Sequence, residues 1–387
     1  MGANHVGRRK VLLNALSARR GGGQTYVVNL LRFLPEEASA EVFVLAPPSL
    51  PLPTDRRNIT RIPVNWPVEN PFVRAAWEKV YLPKLVRALK AEVLFCPGGI
   101  IGASLPPGCK GVTMFRNMVP FDPGQRQKYP LGYMRMRNWI LKRVLLRSML
   151  KADLVICVSE FARTVLQQHA QGSLKNTVVI PHGVNLHFGN SAGADWRRPG
   201  WLPAEDYLLY VSNVDFYKAQ VEVVQAYALL KQRRETREKL VLVGPEFPDY
   251  GRKVRAEIHR WGLKCDVVLT GTVPSDEMPG LYHHALLNIF ASECENCPNI
   301  LLEAMAAGRP LVVSNRPPMP EFAGDAAVYF DPRSPHELAD KLASVLQNPL
   351  RRKELAARAR ERSLLYDWRC TARLTWNAIE TLSHRSN

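Results

Sequence analysis

Residues 292–308, SECENCPNILLEAMAAG, bring three carboxylates (Glu293, Glu295, Glu303) and a Cys-x-x-Cys pair (Cys294, Cys297) into one short stretch. The cysteines lack a second pair at zinc-ligand spacing, and no histidine lies close by in sequence, so a structural metal site is disfavoured. A thioredoxin-type redox pair would open a helix directly after its own strand, which is a different context. The carboxylates are the better candidates. Pro298 suits the first turn of a helix, and PNILLEAMAAG is expected to form one, closed by Gly308 and Pro310. Glu295 then lies just ahead of the helix and Glu303 within it, eight residues further on. That spacing excludes an acid/base pair on one helical face and suits two contacts to separate parts of a long ligand. Carboxylates accept paired hydrogen bonds from vicinal hydroxyls, so sugars and ribose are natural partners. Amides at the helix start could hold a phosphate or a sugar hydroxyl. The plainer alternative is an acid that favours the helix dipole, followed by a surface glutamate. Glu293 has no assigned role.

Two other stretches could meet a ligand. RRGGGQTYVVNLLRFL follows the first expected strand, where glycines allow close backbone approach and the helix start favours an anion. A dinucleotide fingerprint would need a glycine at Tyr26 and an acid at the end of the next strand, which instead ends VLAPP. A nicotinamide enzyme is therefore disfavoured, and a tight turn without a ligand stays open. In SNVDFYKAQVEVVQAYALL, Lys218 opens a helix against the dipole preference. A cation so placed could neutralise a bound phosphate, or be a solvated lysine.

The elements that must position these residues are short apolar runs alternating with amphipathic helical patterns. The runs are KVLLNAL, AEVFVLAP, AEVLFCPG, GVTMF, DLVICVS and NTVVIPHG in the first half. In the second half they are YLLYVSN, KLVLVGPE, DVVLTGTV, ALLNIFAS and RPLVVSN. Strands apolar at successive positions are buried on both faces, which implies parallel sheets between helices. Two such series, separated by NSAGADWRRPGWLPAED, predict an α/β protein of two doubly wound domains joined by a linker. Ligands in such sheets sit at the carboxyl ends of the strands, where all three stretches fall.

With 387 residues, 46% hydrophobic and 22% charged, the composition is that of a soluble globular protein. No apolar run is long enough to span a membrane. RRKVLLNALSARR has a basic flank, but Asn14 breaks its apolar core, and a buried first strand is expected rather than a secretion signal. The Met-Gly start lacks Ser or Thr at position 6, against an N-myristoyl anchor. Seven scattered cysteines make no disulfide framework, and reduced thiols in a cytoplasmic setting are expected. The net charge of +17 is lopsided. Residues 1–190 carry 26 Lys and Arg against 10 acids, and residues 191–387 carry 26 against 25. The first half is thus expected to face something anionic.

Together these residues resemble the retaining glycosyltransferases of the GT-B fold, specifically family 4. The glutamate–seven residues–glutamate motif is matched by Glu295 and Glu303, followed by LLEAMAAGRPLVVSN and preceded by VVLTGTVPSDEMPGLYHHALLNIFAS. VSEFAR (158–163), VIPHGVN (179–185) and GGQTYVVNL complete the ordered set. The resemblance implies two Rossmann-like domains facing across a cleft. The expected division is an acceptor-binding domain at 1–190, a linker at 191–206, and a nucleotide-sugar-binding domain at 207–365. A C-terminal helix, 366–387, is expected to pack back towards the N-terminal domain. By the same resemblance Glu303 would bind ribose hydroxyls, Glu295 would contact the transferred sugar, and the backbone of Cys297, Pro298, Asn299 and Ile300 would line sugar and phosphate. Lys218 would balance the diphosphate charge, helped by Gly22 and Gly23, with Asn213, Gly244, Thr272 and Val273 as further donor positions. Glu295, Lys218 and Arg116 form the expected catalytic group. No metal is expected, since no Asp-x-Asp motif is present, and no cofactor beyond the nucleotide-diphosphate sugar as co-substrate.

Two departures from the family pattern bear on chemistry. Ser212–Asn213 stand where an arginine is common, which removes one cation from the diphosphate loop. Arg116 and Asn117 stand where the family commonly has His-Asp. An arginine cannot act as a general base near neutral pH, so the family's front-face mechanism, with the leaving phosphate taking the proton, is expected. Residues 124–151 contain eight Lys or Arg and no acid, interleaved with apolar side chains. Arg126, Lys128, Arg135, Arg137, Lys142 and Arg143 are assigned to a membrane- or acceptor-facing surface; a core helix with a basic outer face is the alternative. No nucleic-acid-binding motif is present. The expectation is a cytoplasmic enzyme, peripheral on the inner face of a membrane, that transfers a sugar to a glycan or lipid-linked acceptor in cell-surface polysaccharide or lipopolysaccharide synthesis. A GT-B binding protein without transfer activity and a nucleotide-sugar epimerase are the alternatives. Oligomeric state is not legible.

Overall fold

The computed structural model describes residues 9–19, 21–36, 40–53, 55–185, 188 and 196–384. The Met-Gly start and residues 191–195 of the expected linker lie outside them. The chain divides into two compact units. The first comprises residues 1–121, 136–183 and 368–387, and the second residues 122–135 and 184–367.

The first unit is built on seven parallel strands. These are β1 (Arg9–Asn14), β2 (Ala40–Leu45), β3 (Ile59–Ile62), β4 (Val93–Cys96), β5 (Lys110–Phe115), β6 (Leu154–Cys157) and β7 (Thr177–Val179), in the spatial order β3-β2-β1-β4-β5-β6-β7. Central strands such as β4 and β6 are buried at every residue, as continuous apolar runs between two helical layers must be. The helices are α1 (Gly22–Arg32), α2 (Pro71–Leu89), most of α4 (Tyr133–Lys151), α5 (Glu160–Ala170) and the last helix, α13 (Trp368–His384). α13 packs on α1, where the Trp376 indole donates to the Leu30 carbonyl at 3.1 Å. Thr371 of α13 also donates to the Pro181 carbonyl at 2.9 Å.

The second unit has six parallel strands, β8 (Tyr207–Val211), β9 (Lys239–Val243), β10 (Val267–Gly271), β11 (Leu287–Phe290), β12 (Leu311–Ser314) and β13 (Val328–Phe330). Their order is β10-β9-β8-β11-β12-β13. Its helices are α3 (Pro123–Lys128), α6 (Gln220–Gln232), α7 (Pro248–Arg260), α8 (Met278–His284), α9 (Asn299–Ala306), α10 (Met319–Ala323), α11 (Pro335–Leu346) and α12 (Pro349–Ser363). α3 belongs here although it falls in the first half of the chain.

All eleven strands expected from apolar runs form. The two additional ones, β3 and β13, are edge strands of four and three residues with partly exposed side chains. In each sheet the order reverses beside the first strand, between β1 and β4 and between β8 and β11. Loops leaving the carboxyl ends of those pairs diverge, which opens a crevice for a ligand.

Candidate active site

In the second unit the switch-point loops carry the expected charged pair. After β8 the chain runs through Ser212 and Asn213 to a short 3-10 turn, Phe216–Lys218, capped by the Asp215 side chain on the Phe216 amide at 2.7 Å. Lys218 is therefore delivered at the end of a turn rather than in the first turn of α6. Ala219 follows in the left-handed conformation, φ 55°, and redirects the chain into α6. The Tyr210 hydroxyl holds the Lys218 carbonyl at 2.7 Å. The lysine side chain is almost fully buried, lies 4.9 Å from the Tyr217 ring centroid and 5.6 Å from that of Phe290, and makes an ion pair with Glu295. The pair spans the crevice from the loop after β8 to the loop after β11, so the structure brings together two residues 77 apart in sequence.

Pro298 occupies the cap position and α9 begins at Asn299, one residue later than a proline in the first turn would place it. No side chain caps this helix. Glu303 lies one turn along α9 and accepts from the Tyr282 hydroxyl of α8 at 3.3 Å. Burial pushes its carboxyl up to about 7, with the Tyr282 bond opposing. Gly244, after β9, has φ 138°, and a Cβ there would stand 2.2 Å from the Ser212 carbonyl oxygen. Only glycine lets the loops after β8 and β9 approach so closely. Its amide donates to the Gly271 carbonyl at 2.8 Å, which carries the same edge on to Thr272 and Val273 after β10. Asn213 is exposed, and its carbonyl accepts from Gln220 at 2.8 Å. Among the described residues, no group of three or more His, Cys, Asp or Glu is placed to hold a metal ion.

In the first unit, Gly21 precedes α1 with φ 58° and ψ −146°, a conformation suited to glycine, and Gly22 and Gly23 open the helix. Arg116, after β5, donates to the Gly22 carbonyl at 2.7 Å and lies over the Tyr26 ring at 5.2 Å. Arg116 and the glycine loop are thus one construction. The Tyr26 ring sits 5.2 Å from His182 and 6.0 Å from Trp368, which places VIPHGVN and the start of α13 against the same helix.

The basic stretch divides. Lys128, with its side chain 30% exposed, makes an ion pair with Glu293 inside the second unit, because a buried carboxylate needs a counter-charge. Arg126, on α3, is partly buried, with no hydrogen-bond partner for its Nε. Arg135 and Lys142 are half-buried and Arg137 and Arg143 exposed, the last at 3.2 Å over the Trp139 ring. Met136, Trp139 and Ile140 are exposed on the same helix. Sequence reasoning passed over Asp215, Tyr129 and Tyr282, and gave Glu293 no role. Each works by supporting a neighbour, and each has a partner well away in sequence: Tyr129 and Asp215 pair across 86 residues and Tyr282 and Glu303 across 21.

Two parallel-sheet units with flanking helices and this pair of switch-point sites define a GT-B glycosyltransferase. Residues 20–188 match glycosyltransferase family 4, and residues 196–362 match the glycosyl transferases group 1 family. The chain belongs to the group 1 glycosyltransferases. It is 28% identical over 278 residues to O-antigen chain mannosyltransferase B of Escherichia coli, covering 70% of this chain and 71% of that protein. It is 27% identical over 241 residues to the GDP-mannose-dependent alpha-(1-6)-phosphatidylinositol monomannoside mannosyltransferase of Mycobacterium tuberculosis, covering 59% of each. Among solved structures, Anabaena HepE in complex with UDP-glucose superposes with a TM-score of 0.72 at 18% identity, covering 96% of this chain and 99% of that one. That likeness establishes the fold.

Proposed function

We propose that the protein is a retaining, metal-independent hexosyltransferase that moves a sugar, mannose by the names of its relatives, from a nucleotide-diphosphate donor to a glycan or lipid-linked acceptor in cell-surface polysaccharide synthesis. The observation that carries the reading is the buried Lys218–Glu295 pair across the β8/β11 switch point, beside the uncapped start of α9. A phosphate entering there meets a cation already held in a low-dielectric setting, and the first-turn amides of α9 offer further donors. As the glycosidic bond breaks, negative charge grows on the leaving diphosphate, and Lys218 stabilises it with little reorganisation. Glu295, released from Lys218 as the phosphate takes its place, accepts from hydroxyls of the transferred sugar. Glu303 accepts from the ribose hydroxyls in its ionised form.

The leaving phosphate takes the acceptor proton, so no protein base is needed. Arg116 braces the glycine loop of the first unit, the unit we assign to the acceptor. No helix among the described residues is long and apolar enough to cross a membrane. The exposed Arg137, Arg143, Met136, Trp139 and Ile140 of α4 suit attachment to an anionic membrane surface. A thermal-shift panel of GDP-mannose, UDP-glucose and related donors tests the function, because a true donor stabilises the fold by mass action. GDP-mannose should raise the Tm and be slowly hydrolysed without acceptor. Stabilisation without any release of nucleotide would leave only a binding protein.

A further inference from the structure

Glu293 has no part in the donor contacts just described, yet it is the most heavily partnered carboxylate near them. Its side chain is 1% exposed. It pairs with Lys128 of α3 and with Arg333 at 3.0 Å, and accepts from Gln125 of α3 at 3.2 Å. Burial would push its carboxyl up, but Lys128, Arg333 and Gln125 together hold it below the ordinary range. Its backbone amide donates to the Tyr217 carbonyl at 2.8 Å, immediately before Lys218. A second tether runs the same way. The Tyr129 hydroxyl, one residue after α3, reaches Asp215 at 3.1 Å, and Asp215 caps the turn that ends in Lys218. α3, the Lys218 turn and the loop carrying Glu295 therefore meet at Glu293.

A buried ion cluster adds little net stability over well-packed apolar residues, so its effect falls on geometry. Building on the donor assignment above, we propose that Glu293 is a positioning residue for the donor site. Its charge anchors α3, and through α3 and its own amide it holds the Lys218 turn and the Glu295 loop in register.

The test compares the full-length wild type with Glu293→Gln and Glu293→Gln/Lys128→Gln. It reads the Tm, the affinity for GDP and UDP by calorimetry, and amide hydrogen exchange over residues 215–220 and 292–299. Glu293→Gln should lower the Tm by stranding Lys128, and the second change should recover it. In both variants exchange at 215–220 should stay faster than in the wild type. Affinity for whichever diphosphate the wild type binds should be about tenfold weaker in both, since small misplacements of positioned groups are costly. Recovery of affinity and protection together with the Tm in the double variant would reduce Glu293 to a stability element, and wild-type protection at 215–220 in Glu293→Gln would overturn the proposal outright. Should the wild type bind neither GDP nor UDP, the donor assignment falls, while hydrogen exchange still decides whether Glu293 holds the turn.

Discussion

The two units share one topology and use it differently. In both, a parallel sheet reverses its strand order beside the first strand and aims its loops at a ligand. The second unit places charge at that point, with Lys218 and Glu295 held across the crevice and Glu303 a turn behind. The first unit places glycine and a braced arginine there, at Gly22, Gly23 and Arg116. The half of the chain that supplies most of that unit is strongly basic, with 26 of the 52 basic residues but only 10 of the 35 acids in residues 1–190. A fold leaves the chemistry of its switch point open, and the loops decide it. A site built to hold a diphosphate needs a fixed cation, whereas an acceptor that is itself anionic or lipid-linked can be attracted by a distributed field.

The sharpest way to break this contrast is at Lys218. Lys218→Ala removes the cation from a water-poor site and leaves Glu295 without its partner. The expected loss in donor hydrolysis is about 10²–10³-fold, the range seen when one preorganised electrostatic donor is removed from an active site. Single-turnover assays would measure it, and a loss of less than tenfold would move the diphosphate elsewhere.

For the first unit the corresponding experiment is on the helix surface. Arg137 and Arg143 of α4 are exposed, and each basic residue near an anionic surface contributes about 1 kcal/mol. The double change Arg137→Gln/Arg143→Gln should therefore weaken partitioning onto phosphatidylglycerol vesicles by about thirtyfold at low salt. Co-sedimentation across a salt series would show whether the surface is electrostatic. Equal binding to phosphatidylglycerol vesicles by wild type and variant at low salt would remove the membrane role from these arginines of α4.

A third test returns to the second unit and uses pH. Glu303 titrates at about 7 because it is buried. In the role proposed for it, its carboxylate and not its acid form would accept from two ribose hydroxyls, so donor affinity should be about tenfold weaker at pH 6 than at pH 8. The stability consequence has the opposite sign. Between its ordinary 4.5 and the folded value of about 7, the folded state binds more protons than the unfolded one, and stability falls as pH rises. Glu303→Gln should weaken binding at all pH values and flatten both profiles. A pH-independent donor affinity in the wild type would show that Glu303 does not hold the ribose.

How much of this was legible follows from where each signal resides. Fully buried central strands announce themselves as uninterrupted apolar runs, so β4, β6 and β8 could be read directly. The edge strand β3, ITRI, has Thr60 and Arg61 at its middle, is nowhere fully buried, and carries no such signal. Glu295 and Glu303 were legible because their spacing is local. Glu293 was not, because its partners lie 165 and 168 residues away on α3 and 40 residues away at Arg333. The membership of α3 in the second unit was invisible for the same reason. A basic run reads as one surface, and the pairing of Lys128 depends on a buried carboxylate that only the fold brings near.

The smallest expected effect concerns the strand ends themselves. β1 ends at Asn14, whose side-chain amide donates to Glu78 of α2 at 2.9 Å, and burial raises the Glu78 carboxyl against that bond. At the matching point after β8, Gln220 donates to the Ser212 hydroxyl at 3.2 Å, a neutral pair. Removing either donor strands a buried acceptor, so Asn14→Leu and Gln220→Leu should each cost about 1–2 kcal/mol. Only the first should depend on pH. Without Asn14 the Glu78 carboxyl rises further, so the penalty grows as pH rises through its titration and shrinks where it is protonated in both folded and unfolded states. Urea unfolding at pH 5 and pH 8 would measure both. An Asn14→Leu penalty that does not change with pH would mean that Glu78 carries no charge beside the end of β1, and buried charge at the switch point would then belong to the second unit alone, in Lys218 and Glu295.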